Sequence, residues 1–242
     1  MIRAILMGHG RMGQMVEETM ARDGNFELIG VVDVGLFERP EDVLGTPDVL
    51  IDFSYPGNLE LALQFGMATG CPLVLGTTGY SADQIAMIRD ASKKTAIVHS
   101  SNYSTGVAVL QRALKLVAPA LLDAFDVEII ETHHNKKADA PSGTAKLLVD
   151  AIDPGHSFPR VYGREGQVGA RGHEIGIHAV RGGTVAGEHR VIFLGEDEVI
   201  EFKHSATSRK IFANGAVRAA KFVTGKPAGL YTMQDVLEEV NA

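Results

Sequence analysis

Residues 128–145, Glu-Ile-Ile-Glu-Thr-His-His-Asn-Lys-Lys-Ala-Asp-Ala-Pro-Ser-Gly-Thr-Ala, concentrate more reactive chemistry than any other part of the chain. His133 and His134 carry groups that titrate near neutrality, so either can give or take a proton in ordinary conditions. Lys136 and Lys137 add positive charge close behind them, and Pro141, Ser142, Gly143 and Thr144 have the composition of a helix start, whose first backbone N–H groups lack intrahelical acceptors. Together these residues predict an anion site with a proton donor beside it. Two plainer readings compete. A loop with two histidines and two lysines is also what a solvated basic turn looks like. A metal site is the other, but neighbours on an extended strand point to opposite faces and two lysines repel a cation, so no metal is expected.

The elements that must position this segment follow from hydrophobic period. An apolar strand over 127–132 delivers the histidines, and a helix over 142–152 leaves from Ser142. At the start of the chain, the apolar run 2–7 passes into Gly8-His9-Gly10-Arg11-Met12-Gly13, after which Met12, Val16 and Met20 recur at helical spacing. Those glycines sit where a dinucleotide turn needs them: Gly8 for the bend, Gly10 for backbone approach to a pyrophosphate, Gly13 for helix against strand. A second apolar run, 27–32, ends at Asp33, where a carboxylate for a ribose diol is expected. As a plain structural residue, Asp33 would be a strand-end turn former.

Alternation then continues through strands 49–53, 73–75 and 96–98 and helices 59–68 and 82–92, predicting a parallel α/β sheet of Rossmann type. Polar segments at its strand ends, 53–56, Gly76-Thr77-Thr78-Gly79 and Ser100-Ser101-Asn102-Tyr103-Ser104, are candidates to line a cofactor. An amphipathic helix over 105–122 carries the chain out, with Pro119 late in it as a kink or stop. After the central segment comes a glycine-rich, charged excursion, 153–172, then strand-like runs 174–180, 189–193 and 199–204 that read as an antiparallel meander apolar on parts of both faces. Helices over 208–223 and 232–240 return to cover the first sheet. The predicted organisation is therefore a dinucleotide-binding domain of residues 1–103 and 209–242, interrupted by an α+β substrate-binding and oligomerisation domain of residues 104–208 with a mixed or antiparallel sheet.

Composition bounds the rest. The 242 residues are 45% hydrophobic with a net charge of −7 and mixed signs, which fits a soluble globular protein and argues against a broad basic face for nucleic acid. The single cysteine, Cys71, allows no intrachain disulfide and suggests a reducing compartment. No run is long enough for a membrane span or signal peptide, so a cytoplasmic protein with no membrane partner is expected.

With these motifs in view, the glycine turn, Gly76–Gly79, the segment 131–144 and the late Ser208-Arg209-Lys210-Ile211-Phe212-Ala213-Asn214-Gly215-Ala216 closely resemble the 4-hydroxy-tetrahydrodipicolinate reductase family, formerly dihydrodipicolinate reductase. The resemblance implies an NAD(P)H-dependent oxidoreductase of the diaminopimelate route to lysine, delivering hydride to a cyclic unsaturated imine bearing two carboxylates. It implies catalytic roles for His133 as general acid/base and Lys137 as second proton donor. His134, Ser142, Gly143 and Thr144 are the implied groups for substrate carboxylate. Nucleotide contacts are implied at Gly8 to Gly13, Asp33, Gly76, Thr77, Thr78, Ser100, Ser101, Asn102 and Tyr103, and assembly as a homotetramer through the second domain's sheet. The segment between Asp33 and Asp48 is short, and Val34, Gly35, Leu36 and Phe37 supply no cation after the ribose-binding acid, so NADH is expected to serve at least as well as NADPH. A nucleotide-binding sensor without chemistry, or another Rossmann oxidoreductase of amino-acid metabolism, is the alternative; a pure binder would need neither His133 nor Lys137.

Overall fold

The computed structural model describes residues 1–239, so the end of the helix expected over 232–240 lies outside the described residues. The chain divides into two compact units, Met1–Thr105 with Lys210–Ala242, and Gly106–Arg209.

In the first unit, β1 (Ile2–Met7), α1 (Arg11–Asp23), β2 (Phe26–Val32), β3 (Val49–Asp52), α2 (Leu59–Thr69), β4 (Leu73–Leu75), α3 (Ala82–Ala91) and β5 (Ala96–His99) alternate, except that only a short 3-10 turn, Pro40–Asp42, separates β2 from β3. Ala4 to Met7, Val49 to Ile51 and Leu73 to Leu75 are fully buried, the continuous apolar runs of strands covered on both faces. Gly24 ends α1 in the left-handed conformation, and Ser81 with Gln84 forms a capping box at α3.

The chain then enters α4 (Thr105–Leu121), which keeps Pro119 inside its last turn. The second unit continues with β6 (Asp126–His133), α5 (Gly143–Ile152), β7 (Arg160–Tyr162), β8 (Ile175–Arg181), β9 (Gly187–Leu194) and β10 (Val199–Ala206). Back in the first unit come α6 (Lys210–Val223), β11 (Gly229–Tyr231) and α7 (Met233–Glu238). All neighbours in the first sheet pair in parallel, in the order β11-β5-β4-β3-β1-β2. The chain leaves β1 for β2 on one side and returns to β3 on the other, so the topological switch point lies between the carboxyl ends of β1 and β3.

The second sheet has the order β10-β9-β6-β8-β7, which corrects the expected meander. Only β9 and β10 form a hairpin; β6 inserts between β8 and β9, parallel to the first and antiparallel to the second. Two three-residue strands also escaped hydrophobic periodicity. One is β7, inside the excursion expected to be irregular, and the other is β11 at the edge of the first sheet. Arg164 and Arg171 tie the excursion down by pairing with Glu128 at 2.8 and 3.2 Å. One face of the sheet, with Val127, Ile129, Ile175, Ile177, Val191 and Phe193, packs on α4 and α5 through Leu110, Leu114, Ala145, Leu148 and Val149.

Candidate functional site

At the switch point of the first unit, two glycines are required by space. A Cβ on Gly8, whose φ is +88°, would lie 2.6 Å from the Phe53 carbonyl oxygen, and one on Gly13 would lie 2.0 Å from that of Gly8. Gly10 differs: it is the N-cap of α1, offers no side-chain cap, and a Cβ there would meet nothing within 4 Å. This is a helix N-terminus whose backbone stands open, the arrangement that suits a pyrophosphate. Arg11 is exposed and Met12 half-buried. The His9 N–H donates to Asp33, the Val34 N–H donates to the other Asp33 oxygen at 2.6 Å, and the His9 ring pairs with Glu17 at 2.6 Å. The Asp33 carboxylate is thus fixed at the end of β2, beside the glycine turn.

Other expected nucleotide residues divide by exposure. Thr78 and Ser101 are exposed, and Ser100 is half-buried with its hydroxyl donating to the Asn102 carbonyl at 2.8 Å. Gly76 sits against the Phe53 ring, where a Cβ would approach to 2.3 Å. Thr77 and Asn102 are buried, and Asn102 Oδ1 accepts from the Ser104 N–H at 2.8 Å. Tyr103 is placed inward instead: its hydroxyl donates toward the carbonyls of Leu75 and Val98, at 2.9 and 3.0 Å, and its side chain belongs to the core. A buried carboxylate that sequence reasoning passed over, Asp52, closes β3 and accepts from Ser54 and Tyr80. Burial pushes its carboxyl above the usual range, against hydrogen bonds from Ser54 and Tyr80.

In the second unit, the helix-covered face of the sheet is apolar for most of its length and then turns titratable. Val127 and Ile129 on β6 are followed on the same face by Glu131 and His133. In register, Glu131 lies opposite His189 of β9, His133 opposite Arg181 of β8, and His189 opposite His204 of β10. Glu131 has no exposed side-chain surface. One of its oxygens meets His133 Nδ1 at 2.6 Å and Arg181 at 2.7 Å; the other accepts from Arg181 at 2.7 Å and from the Ser142 N–H at 3.0 Å. Burial raises the Glu131 carboxyl, but Arg181, His133 and Ser142 outweigh it and hold it below the usual range. An unpaired carboxylate there would cost several kcal/mol, on the order of the 3–5 that follow breaking a buried pair.

His133 is pulled down by burial, with Lys137 and Arg181 adding to that and Glu131 opposing it. Its ring meets the His189 ring edge-on, with centroids 5.1 Å apart. Burial brings His189 down to about 4, so near neutrality it is an uncharged ring, and its Nε2 meets Ser142 Oγ at 2.9 Å. On the other side of His133 stands Gly187, where a Cβ would lie 3.0 Å from His133 Nε2. The absent side chain leaves that nitrogen approachable.

The remaining expected residues sort as follows. Lys137 is near enough to act on His133 and is paired with Asp139 at 2.7 Å. His134 leaves β6 with its N–H donating to the Val185 carbonyl at 2.8 Å and its Nε2 3.2 Å from Arg209. Gly143 opens the first turn of α5, and a Cβ there would meet nothing within 4 Å; Thr144 follows it, half-buried. Ser142 is placed behind the expected anion site. It is buried, its N–H is taken by Glu131, and its hydroxyl caps α5 at Ala145 and meets His189. Glu131, Arg181, His189 and Arg209 were missed. Only Glu131 had a sequence signal, its two-residue spacing from His133 on one strand.

Known proteins resemble this chain along its whole length. Residues 2–103 match the family description "Dihydrodipicolinate reductase, N-terminus" and residues 106–237 match "Dihydrodipicolinate reductase, C-terminus". The 4-hydroxy-tetrahydrodipicolinate reductase of Brachyspira hyodysenteriae is 42% identical, over 98% of this chain and 100% of its own. That of Clostridium novyi is 41% identical, over 100% of both chains. Among solved structures, the dipicolinate-bound dihydrodipicolinate reductase from Paenisporosarcina sp. TG-14 superposes with a TM-score of 0.78 at 26% identity, covering 97% of this chain and 98% of its own.

Proposed function

The chain belongs to the dihydrodipicolinate reductase family, and from that premise we propose that it reduces 4-hydroxy-tetrahydrodipicolinate to tetrahydrodipicolinate, with loss of water, in the diaminopimelate route to lysine. It is an NAD(P)H-dependent oxidoreductase. The full-length likeness to relatives bearing that enzyme's name carries the reading; a nucleotide sensor without chemistry, or a reductase for another amino-acid precursor, finds no support among them. Substrate-dependent oxidation of reduced nicotinamide cofactor is the test.

The cofactor supplies hydride to the substrate ring when bound. The glycine turn and α1 would hold its pyrophosphate on open backbone at Gly10, and Asp33 its ribose hydroxyls. In the second unit, the first turn of α5 at Gly143 and Thr144 receives one substrate carboxylate, and His134 and Lys137, in the segment that follows β6, are further partners for negative charge. A dicarboxylate ligand accords with the relative solved with dipicolinate. Protonation of the ring falls to His133 through Nε2. Burial keeps that histidine neutral in the free protein, and a dianion arriving beside Nε2 favours the imidazolium, so the substrate itself charges its acid.

NADH serves at least as well as NADPH. Val34 and Leu36, which follow Asp33, are exposed and uncharged, so a 2′-phosphate beside Asp33 finds repulsion with no adjacent cation in that segment; Arg11, exposed, and Arg39, paired with Glu41 at 3.5 Å, are the cations that would reverse the preference. Specificity constants measured with both cofactors check this. A preference for NADPH beyond about tenfold, about 1.4 kcal/mol, contradicts it.

We further propose a homotetramer in the cytoplasm, assembled through the exposed face of the second unit's sheet. That face carries Val180 and Val199, 46% and 60% exposed, beside the charged pair Arg190 and Glu201, a mixture suited to a specific symmetric interface. Equilibrium sedimentation at micromolar concentration gives a tetramer; a monomer contradicts the proposal. The single buried, unpaired thiol of Cys71 suits a reducing compartment.

A further inference from the structure

We infer that Glu131 and Arg181 are positioning residues that hold His133 in one tautomer, with a proton fixed on Nδ1 and with Nε2 as the nitrogen that exchanges protons with substrate. The inference rests on the reading of His133 as the proton donor and extends it to two residues that act through its ring. An ionised carboxylate can only accept, so at 2.6 Å from Glu131 the Nδ1 position must donate whether the ring is neutral or charged. Neutral imidazole has one proton, and placing it on Nδ1 leaves Nε2 as a lone pair ready to take and return another.

Arg181 completes the device. A fully buried carboxylate would relieve its desolvation by taking up a proton, and a protonated Glu131 could donate to Nδ1 and reverse the tautomer. The two Arg181 nitrogens, each 2.7 Å from a different Glu131 oxygen, and the Ser142 N–H at 3.0 Å keep it ionised. The same contacts couple acid to anion site. Ser142 caps α5, so the carboxylate that sets the His133 proton also anchors the helix start at which substrate charge is received.

The groups facing His133 are Glu131 on its own strand, Arg181 on β8, His189 on β9 with His204 beyond it on β10, and Lys137 in the following loop. Among the neighbours Arg181, His189, His204 and Lys137, none can accept the Nδ1 proton from the direction Glu131 occupies. His189 contributes an edge-on ring whose Nε2 is engaged by Ser142. A purely structural reading, in which Glu131 and Arg181 only bind β6 to β8, predicts no effect on which His133 nitrogen carries the proton.

Glu131→Gln separates the two readings. Two fixed donors, the Ser142 N–H and one Arg181 nitrogen, hold the place of one oxygen, so the amide oxygen goes there at the expense of the second Arg181 contact. The NH2 then takes the place facing Nδ1, which must accept and send the proton to Nε2. Long-range 1H–15N correlation of 15N-histidine-labelled protein, above the pH at which His133 is charged, is expected to show Nδ1–H in the wild type and Nε2–H in the variant. Turnover is expected to fall by about 10²- to 10⁴-fold, the range for a general acid or base of wrong tautomer, with the Kd for NADH within about twofold of wild type. Loss of the negative charge also moves the His133 limb of the kcat/KM profile to lower pH. A wild-type His133 carrying its proton on Nε2 overturns the inference without reference to any variant, as does Glu131→Gln with kcat within about threefold of wild type. Failure of the underlying reading looks different: there His133→Ala would keep its turnover, whatever tautomer the wild type shows.

Discussion

His133→Ala lowers kcat by about 10²- to 10⁴-fold and leaves affinity for NADH unchanged, the range expected when a positioned general acid is removed. Hydride addition leaves an electron-rich enamine that must gain a proton, and His133 Nε2 is the titratable nitrogen left approachable by Gly187. The fold survives the change, because Glu131 keeps Arg181 and the Ser142 N–H after losing the imidazole. Neighbouring variants should divide by role. Lys137→Ala is expected to raise KM as well as lower kcat, since its ammonium acts on His133 and is proposed to meet substrate charge. Thr144→Val and His134→Ala chiefly raise KM by weakening anion capture. Steady-state kinetics of the four variants check the division. Near-wild-type turnover in His133→Ala together with none in Lys137→Ala would make the lysine the donor.

Gly13→Ala and Gly10→Ala, one turn of chain apart, separate stability from cofactor binding. The Cβ added at Gly13 would lie 2.0 Å from the Gly8 carbonyl oxygen, a backbone atom that can yield only if α1 moves off β1. Such overpacking costs about 1–3 kcal/mol or more, and a displaced helix start also loses the cofactor, so Tm and NADH affinity fall together. At Gly10 the backbone is already in an extended conformation open to any residue, and the added methyl meets nothing within 4 Å. Gly10→Ala should therefore melt with the wild type while its Kd for NADH rises by about tenfold or more, because the methyl stands where the pyrophosphate is proposed to approach. Thermal melts and cofactor titrations of the pair check this. A Gly10→Ala protein that binds NADH normally would move the pyrophosphate elsewhere.

The parts of this site that could be read from sequence are those built within one supersecondary unit. The turn from β1 into α1 and the acid at the end of β2 are local geometry, and so is the run from His133 to the start of α5. What sequence reasoning missed depends on pairing between distant segments. Arg181 reaches Glu131 only because β8 lies parallel to β6, and His189 reaches Ser142 only because β9 flanks β6 on the other side. A meander reading separates all of these. The strands β7 and β11 are three residues each, too short to show a period, and are held by their neighbours. Ser142 and Tyr103 show the converse. Ligand contacts were expected of both, of Ser142 from the resemblance and of Tyr103 also as a polar residue at a strand end, but the hydroxyl of one caps a helix and that of the other shares its proton between two strand carbonyls.

This chain carries out the reduction and does not merely bind the nucleotide. Following NADH while the cyclic imine is generated from pyruvate and aspartate semialdehyde by the preceding condensing enzyme separates the two. Catalytic oxidation is expected, one NADH for each imine consumed, and it stops when either precursor is withheld. Saturable NADH binding with no oxidation in the presence of the imine would contradict it.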